Sequence, residues 1–217
     1  MSTRVYGQFC GLARAMEVVG ERWALLIVRD LLVGPRRFSD LRRGLPKIPT
    51  NILSTRLKEL EQAGVVQRRV LPRPAGSVVY ELTGLGRGLE EAVLAFGRWG
   101  AQLLGDPREG EIVTTDSLIM ALRTTFHPQA ARGSRLGFEL RFGELVLHAR
   151  VDGARLVVEE GALEEADLVI EGGPGFKPLL AREVTPAQAL AEGTIKVIGD
   201  AALLQRFVEI FYIERSA

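Results

Sequence analysis

The sequence predicts an α+β chain in two domains, and three observations carry that expectation. In the first hundred residues, four helical stretches lead into a strand, a loop, a second strand and a long helix. In the last hundred, short alternating strands come first and helices with apolar faces follow. Between them the charge changes sign: residues 1–105 hold 16 Lys and Arg against 9 Asp and Glu, and residues 106–217 hold 12 against 18, in a chain of 217 residues and net charge +1. The break falls in the Gly/Pro/charge cluster GDPREGE, so the expected domains are 1–105 and 115–217, joined by a linker at 106–114. Such a split implies different partners for the two halves.

At 47% hydrophobic and 25% charged, the composition is that of an ordinary soluble globular protein. No apolar run approaches the ~18 residues that span a bilayer. The N-terminal MSTRVYGQFCGLARAMEVV lacks the unbroken apolar segment and cleavage site of a secretory signal. The expected compartment is the cytoplasm, with no membrane partner. The one cysteine, Cys10, cannot form an internal disulfide, and His127 and His148 do not complete a zinc ligand set with it. No metal or cofactor is expected. No nucleophile beside a base and no paired acids emerge, so an enzyme is not expected either.

Residues 10–19 (CGLARAMEVV) place Leu12, Ala15, Met16 and Val19 on one helical stripe. Residues 23–33 (WALLIVRDLLV) are apolar nearly all round, which suits a helix in the middle of a small domain, and Gly34-Pro35 ends it. A short helix over 38–43, with Ser39 and the preceding arginines near its start, leads to the turn GLPKIP. After NILSTRLKELEQAG come a strand over 65–71, the loop PRPAGS and a strand over 78–82. Thr83 then caps one long amphipathic helix over 85–104.

The stretch NILSTRLKELEQAG is the informative one. At ~100° per residue, Leu53, Leu57 and Leu60 fall together while Asn51, Ser54, Thr55, Lys58 and Gln62 lie opposite, a face with one cation and no anion. Glu59 and Glu61 are pushed to the flanks. Asn, Ser, Thr, Lys and Gln donate to phosphates and reach base edges in a major groove, where a carboxylate would be repelled. A plain solvated helix face is the competing account of this helix taken alone. Its neighbours favour nucleic acid: Arg36, Arg37, Arg42, Arg43 and Lys47 precede it, and Arg68, Arg69 and Arg73 sit on the following hairpin. With the short helix upstream and a tight turn between, the arrangement is a helix-turn-helix with a wing. The expected contacts to double-stranded DNA are Arg36, Arg37, Ser39, Lys47, Thr50, Asn51, Ser54, Thr55, Lys58, Arg68, Arg69 and Arg73.

The run CGLARAMEVVGERWALLIVRDLLVGPRRFSDLRRGLPKIPTNILSTRLKELEQAGVVQRR resembles the HxlR-type branch of the winged helix-turn-helix transcription factors, related in architecture to the MarR-type regulators. The resemblance extends from about Tyr6 to Leu104. Its marks are the cysteine near the first helix, GERW, RRFSDL, the LxxRLxELE run and the YELT strand. Pro49 stands where the family usually has a small polar residue; proline suits a helix start, and the departure bears on base readout there and not on the fold. The resemblance implies a homodimer joined through the first and last helices. Leu94, Phe96, Trp99 and Leu103 fit that seam, or equally an internal core. Some members sense oxidants through a cysteine placed like Cys10. A buried small apolar side chain is the alternative, and Arg14 one turn along would lower the thiol pKa. The glycines of TGLGRGLEE superficially suggest a dinucleotide loop, but the third is one place early and no βαβ unit surrounds them.

In the second half, DSLIMALRTTF reads as a helix and HPQAARG as a turn. RLGFELRFGELVLHARVDGARLVVEEG then alternates over several short strands separated by FGE and VDG, the pattern of an antiparallel meander. EEADLVIE adds a strand and FKPLLARE a short helix. Thr185-Pro186 opens another helix that Gly193 closes, IKVIGD is a strand, and a terminal helix follows. The stretch ADLVIEGGPGFKPLLAREVTPAQALAEGTIKVIGDAALLQRFVEIF resembles the sterol-carrier-protein-like domain, which implies an antiparallel sheet covered by helices around an apolar tunnel. The candidates to line it are Phe126, Phe176, Leu179, Leu180, Phe207 and Phe211, each also suited to plain core.

The expected function is a transcriptional regulator, by default a repressor, binding a pseudo-palindromic operator as a homodimer and modulated by a small hydrophobic ligand. The rival is a lipid carrier whose basic half binds anionic membranes. That rival gives no reason for an anion-free helix between a turn and an arginine hairpin.

Overall fold

The computed structural model describes residues 5–72, 76–173 and 175–214. They form two compact units, Met1–Val93 and Leu94–Ala217. No described helix is long and apolar enough to cross a membrane.

The first unit contains α1 (Gly11–Val19), α2 (Ala24–Val33), α3 (Phe38–Gly44), α4 (Thr50–Gln62), β1 (Val66–Val70), β2 (Val78–Leu82) and α5 (Gly84–Arg87). Its core gathers Ile27, Val28 and Leu31 of α2, Leu41 of α3, Leu45 and Ile48 of the turn, Leu53, Leu57 and Leu60 of α4, and Val66 and Leu82 of the hairpin. The near-continuous apolar character of α2 thus has a cause, since α3 and β2 both lean on it. Leu45 and Ile48 point into the core, which draws the α3–α4 connection tight and leaves Pro46 and Lys47 outside. β1 and β2 pair antiparallel from Val66↔Leu82 to Val70↔Val78. Arg36 adds a one-residue bridge to Tyr80, its N–H donating over 3.0 Å and its carbonyl accepting over 2.8 Å.

Two details differ from the sequence expectation. Trp23 is not the first residue of a helix; it caps α2 from a left-handed conformation, φ 81°. The single helix expected over 85–104 is two, α5 and α6 (Glu90–Ala101), with Thr83 capping the first of them. Gly84, Gly86 and Gly88 explain the break, because glycine weakens a helix interior.

The second unit holds the rest of α6, then α7 (Thr115–Thr125), β3 (Arg135–Phe142), β4 (Leu145–Asp152), β5 (Arg155–Glu160), β6 (Leu168–Glu171), α8 (Phe176–Leu180), α9 (Pro186–Ala191), β7 (Lys196–Gly199) and α10 (Ala202–Ile210). The five strands lie in the order β5-β4-β3-β6-β7. β3, β4 and β5 form the meander, but β6 pairs parallel to β3, so the sheet is mixed and not antiparallel. The reason is the connection over residues 161–167, which leaves one edge of the sheet and crosses to the far side of β3. Hydrogen bonds from Leu163 N to Glu139 Oε2 (2.8 Å), Gly137 N to Asp167 Oδ2 (2.6 Å) and Asp167 N to Gly137 O (2.8 Å) hold it there. Alternation along a strand reports which face is buried, not which strand lies alongside.

On the opposite face, Phe138, Leu140, Leu147, Ala149, Leu168 and Ile170 make an apolar floor. α7 lies against β4 and β5, and α10 against β6. After these two helices the chain pairs with itself through a bridge between Phe126 and Phe211.

Candidate nucleic-acid interface

α4 is the centre of the first candidate site. Leu53, Leu57 and Leu60 are 0–1% exposed. On the other side Thr50, Asn51, Ser54, Lys58 and Gln62 are exposed and Thr55 is half-buried. Two hydroxyls turn inward along the helix: Ser54 Oγ donates to the Thr50 carbonyl (3.0 Å) and Thr55 Oγ1 to the Asn51 carbonyl (2.8 Å). In this state each presents lone pairs outward, so it accepts from a base amino group and must rotate before it can donate to a phosphate. Pro49 occupies the N-cap with φ −64° and ψ 141°, and its side chain offers no acceptor to the first turn.

Around α4 the cations divide into two groups. Arg37, Arg42, Lys47 and Arg68 are exposed, as is Ser39. Arg68 also lies 5.9 Å from the Tyr80 ring. Arg69 and Arg43 are exposed as well but ion-paired within the protein: Arg69 donates to Glu81 over 2.9 Å, and Arg43 to Asp40 over 3.2 Å. Gln67 first, and then Arg69, hold the Glu81 carboxyl below its ordinary pKa, so its charge persists further into acid solution than that of a free carboxyl. Arg36 is half-buried and its backbone is the bridge to Tyr80. Arg73, expected at the wing tip, lies outside the described residues.

Cys10 is exposed, which overturns the alternative of a buried apolar side chain. It occupies the N-cap of α1. The backbone N–H groups of Ala13 and then Leu12 hold its thiol below the usual value. Arg14, expected to do so, is instead paired with Glu17 over 2.8 Å. The expected seam residues Phe96, Trp99 and Leu103 are exposed, and Leu94 is half-buried.

In the second unit the four expected ligand phenylalanines come together around Phe138 as one packed cluster. Phe207 and Phe211 are fully buried with ring centroids 4.8 Å apart, and both meet Phe138 edge-on at 5.1 and 6.2 Å. Phe176 reaches Phe207 at 6.0 Å, Phe126 reaches Phe211 at 5.6 Å, and Leu179 and Leu180 are buried. A separate open hollow of about 410 Å³ is lined by Ala181, Arg182, Tyr212, Ile213 and Glu214. Of its lining, Tyr212 stacks on His127 at 3.5 Å and carries the Arg182 guanidinium at 3.7 Å. Among the described residues no group of three or more His, Cys, Asp or Glu could hold a metal ion.

Sequence reasoning missed Arg56 and Glu21. Arg56 lies on α4, beside the buried leucine stripe, and bridges to Glu21 in the α1–α2 turn over 3.1 Å as well as to Glu59. Glu59 at i+3 was a visible signal for half of this arrangement; the partner 35 residues away left none.

The family model of an HxlR-like helix-turn-helix matches residues 18–107. The curated relatives include two regulators from Bacillus subtilis. The uncharacterized HTH-type transcriptional regulator YvaP is 38% identical over 94 residues, 43% of this chain and 86% of that protein. The HTH-type transcriptional regulator YodB is 39% identical over 88 residues, 41% of this chain and 79% of that one. A solved structure of the reduced form of YodB aligns with 34% identity and a TM-score of 0.40, covering 46% of this chain and 100% of its own.

Proposed function

This chain belongs to the HxlR-like helix-turn-helix family, and from that premise we propose that it is a DNA-binding transcriptional regulator working as a homodimer on a pseudo-palindromic operator. α4 enters the major groove, the β1–β2 wing lies along the flanking backbone, and the default outcome is repression by occlusion of a promoter. One observation carries this reading: the outer face of α4 presents Asn51, Ser54, Lys58 and Gln62, with the exposed Glu61 at its flank, beside exposed Arg37, Arg42, Lys47 and Arg68. Self-association would run through the exposed Phe96, Trp99 and Leu103.

The sterol-carrier-like reading of the second unit is supported by its order of elements and by an apolar cluster between sheet and helices. Since the rings of Phe138, Phe207 and Phe211 touch one another, a hydrophobic ligand would enter by parting α10 from the sheet. It would act on DNA binding only by favouring one arrangement of the protein over another.

A second input, oxidant sensing at Cys10, is favoured by the exposure of that thiol at a helix N-terminus and its lowered pKa.

The test is selection of duplexes from a random-sequence pool, followed by affinity measurement across salt. The expected result is a selected site with two related half-sites about one helical turn apart and a steep loss of affinity as salt rises. Binding to anionic vesicles with no duplex selected would favour the carrier reading instead. Native mass spectrometry of the purified protein, and operator affinity across a panel of hydrophobic molecules, test the ligand.

A further inference from the structure

Arg56 is on α4 but not on its outer face. At ~100° per residue it stands about 60° round the helix from Leu53, on the flank. Its guanidinium is occupied from two directions, by Glu59 one turn along and by Glu21 of the α1–α2 turn at 3.1 Å, and the side chain is 16% exposed.

The Glu21 end is anchored in stiff backbone. The Gly20 N–H donates to the Met16 carbonyl, and a Cβ at Gly20 would overlap that same oxygen. Three residues on from Gly20, Trp23 holds φ 81° and packs against the core, a conformation that a bulky residue keeps only where its surroundings enforce it. The Ala24 N–H closes the turn on the Glu21 carbonyl at 3.0 Å.

We propose that Glu21 and Arg56 are a positioning pair that sets the roll of α4 about its own axis, and so the sequence selectivity of the outer face; the inference rests on the DNA-binding reading above. Leu53, Leu57 and Leu60 fix how deep α4 sits, but a row of rounded apolar side chains resists rotation weakly. A roll of about 10° moves side-chain tips, roughly 6 Å from the axis, by about 1 Å. That is enough to take a donor out of hydrogen-bond range of a base edge. Phosphate attraction, being long-ranged and undirected, survives it. An ion pair on the flank, reaching to a rigid turn, opposes the roll. Arg56 is therefore spent on aim and not on phosphate.

The experiment compares Glu21→Gln, Arg56→Gln, Arg56→Lys and the double Gln variant on two duplexes, one selected by the wild-type protein and a scrambled one of equal length. Glu21→Gln is the mild member because it leaves the Arg56–Glu59 contact intact. Each single Gln variant is expected to lose about tenfold in affinity for the selected duplex, equivalent to ~1.4 kcal/mol. Affinity for the scrambled duplex and the salt slope stay within about twofold of wild type. Glu21→Gln adds nothing in the Arg56→Gln background, and Arg56→Lys recovers part of the loss. If Arg56→Gln weakens both duplexes alike and flattens the salt slope, Arg56 is a phosphate ligand and the proposal fails. Additive single variants would sink it equally. A wild-type protein that selects no duplex overturns the DNA-binding reading. Amide exchange in α4 then decides the pair separately: faster exchange confined to α4 in both single Gln variants supports it, and unchanged exchange removes it.

Discussion

Gly86 lies so close to the Val65 carbonyl that a Cβ at position 86 would overlap its oxygen and come within 3.0 Å of Leu82. The oxygen cannot yield, because it accepts the Thr83 N–H over 3.0 Å at the start of the hairpin. A glycine in a run that superficially suggested a dinucleotide loop is thus a point of close backbone approach.

Gly86→Ala should cost about 2–3 kcal/mol through overpacking, offset by ~1 kcal/mol of helix propensity. The melting temperature of the first unit is expected to fall by roughly 5–10 °C. Gly84→Ala, with nothing within 4 Å of its added Cβ, is the control and should melt at or above wild type. Equal melting of the two variants would show that the backbone there is free to shift.

Lys58 and Arg69 should differ in their weight on DNA. Lys58 is exposed on the outer face of α4, whereas Arg69 is held by Glu81 at 2.9 Å. Lys58→Ala is expected to reduce affinity by about tenfold and the salt slope by about 1. Arg69→Ala should do less, and Glu81→Gln should strengthen binding by releasing Arg69. Filter binding or fluorescence anisotropy at several salt concentrations decides it; an Arg69→Ala loss larger than that of Lys58→Ala would contradict the pairing.

Glu139 links the second unit to pH. Burial raises its carboxyl pKa, but the Leu163 N–H, the Arg141 guanidinium and the charges of Arg141 and His148 outweigh burial and leave it below the ordinary value. A carboxyl depressed in the folded state contributes stability that is fully present above its unfolded pKa, about 4.3, and is lost as pH falls through the folded value. Glu139→Gln should therefore cost about 2 kcal/mol at pH 7, with the gap from wild type closing below about pH 4. A gap that stays constant down to pH 3 would mean that the carboxylate charge plays no part in holding the crossing loop.

Cys10 should titrate early. With Ala13 and Leu12 N–H groups favouring its thiolate, the half-maximal pH of alkylation by iodoacetamide is expected below the ~8.5 of a free thiol. In guanidinium chloride the midpoint should return to that value. The same midpoint in both states would remove the helix start as the cause. Arg14→Ala is expected to leave it unchanged, since Arg14 is taken by Glu17.

Local pattern in this chain decided what local physics can decide. The apolar spacing of Leu53, Leu57 and Leu60 marked a helix with a buried stripe, Thr185-Pro186 marked a helix start, and the alternation from Arg135 to Glu160 marked the strands. The polar outer face of α4 was legible for the same reason: periodicity alone says which side chains share a side. Contacts between distant residues carry no such mark. Only the fold put Glu21 beside Arg56 and Glu81 beside Arg69, laid β6 parallel to β3, and set Gly86 against the Val65 carbonyl. A helix or strand repeats itself every few residues, so its chemistry can be read in order. Which cation is left for an outside partner depends on an acid that chain closure brings across tens of residues, and that is settled by packing.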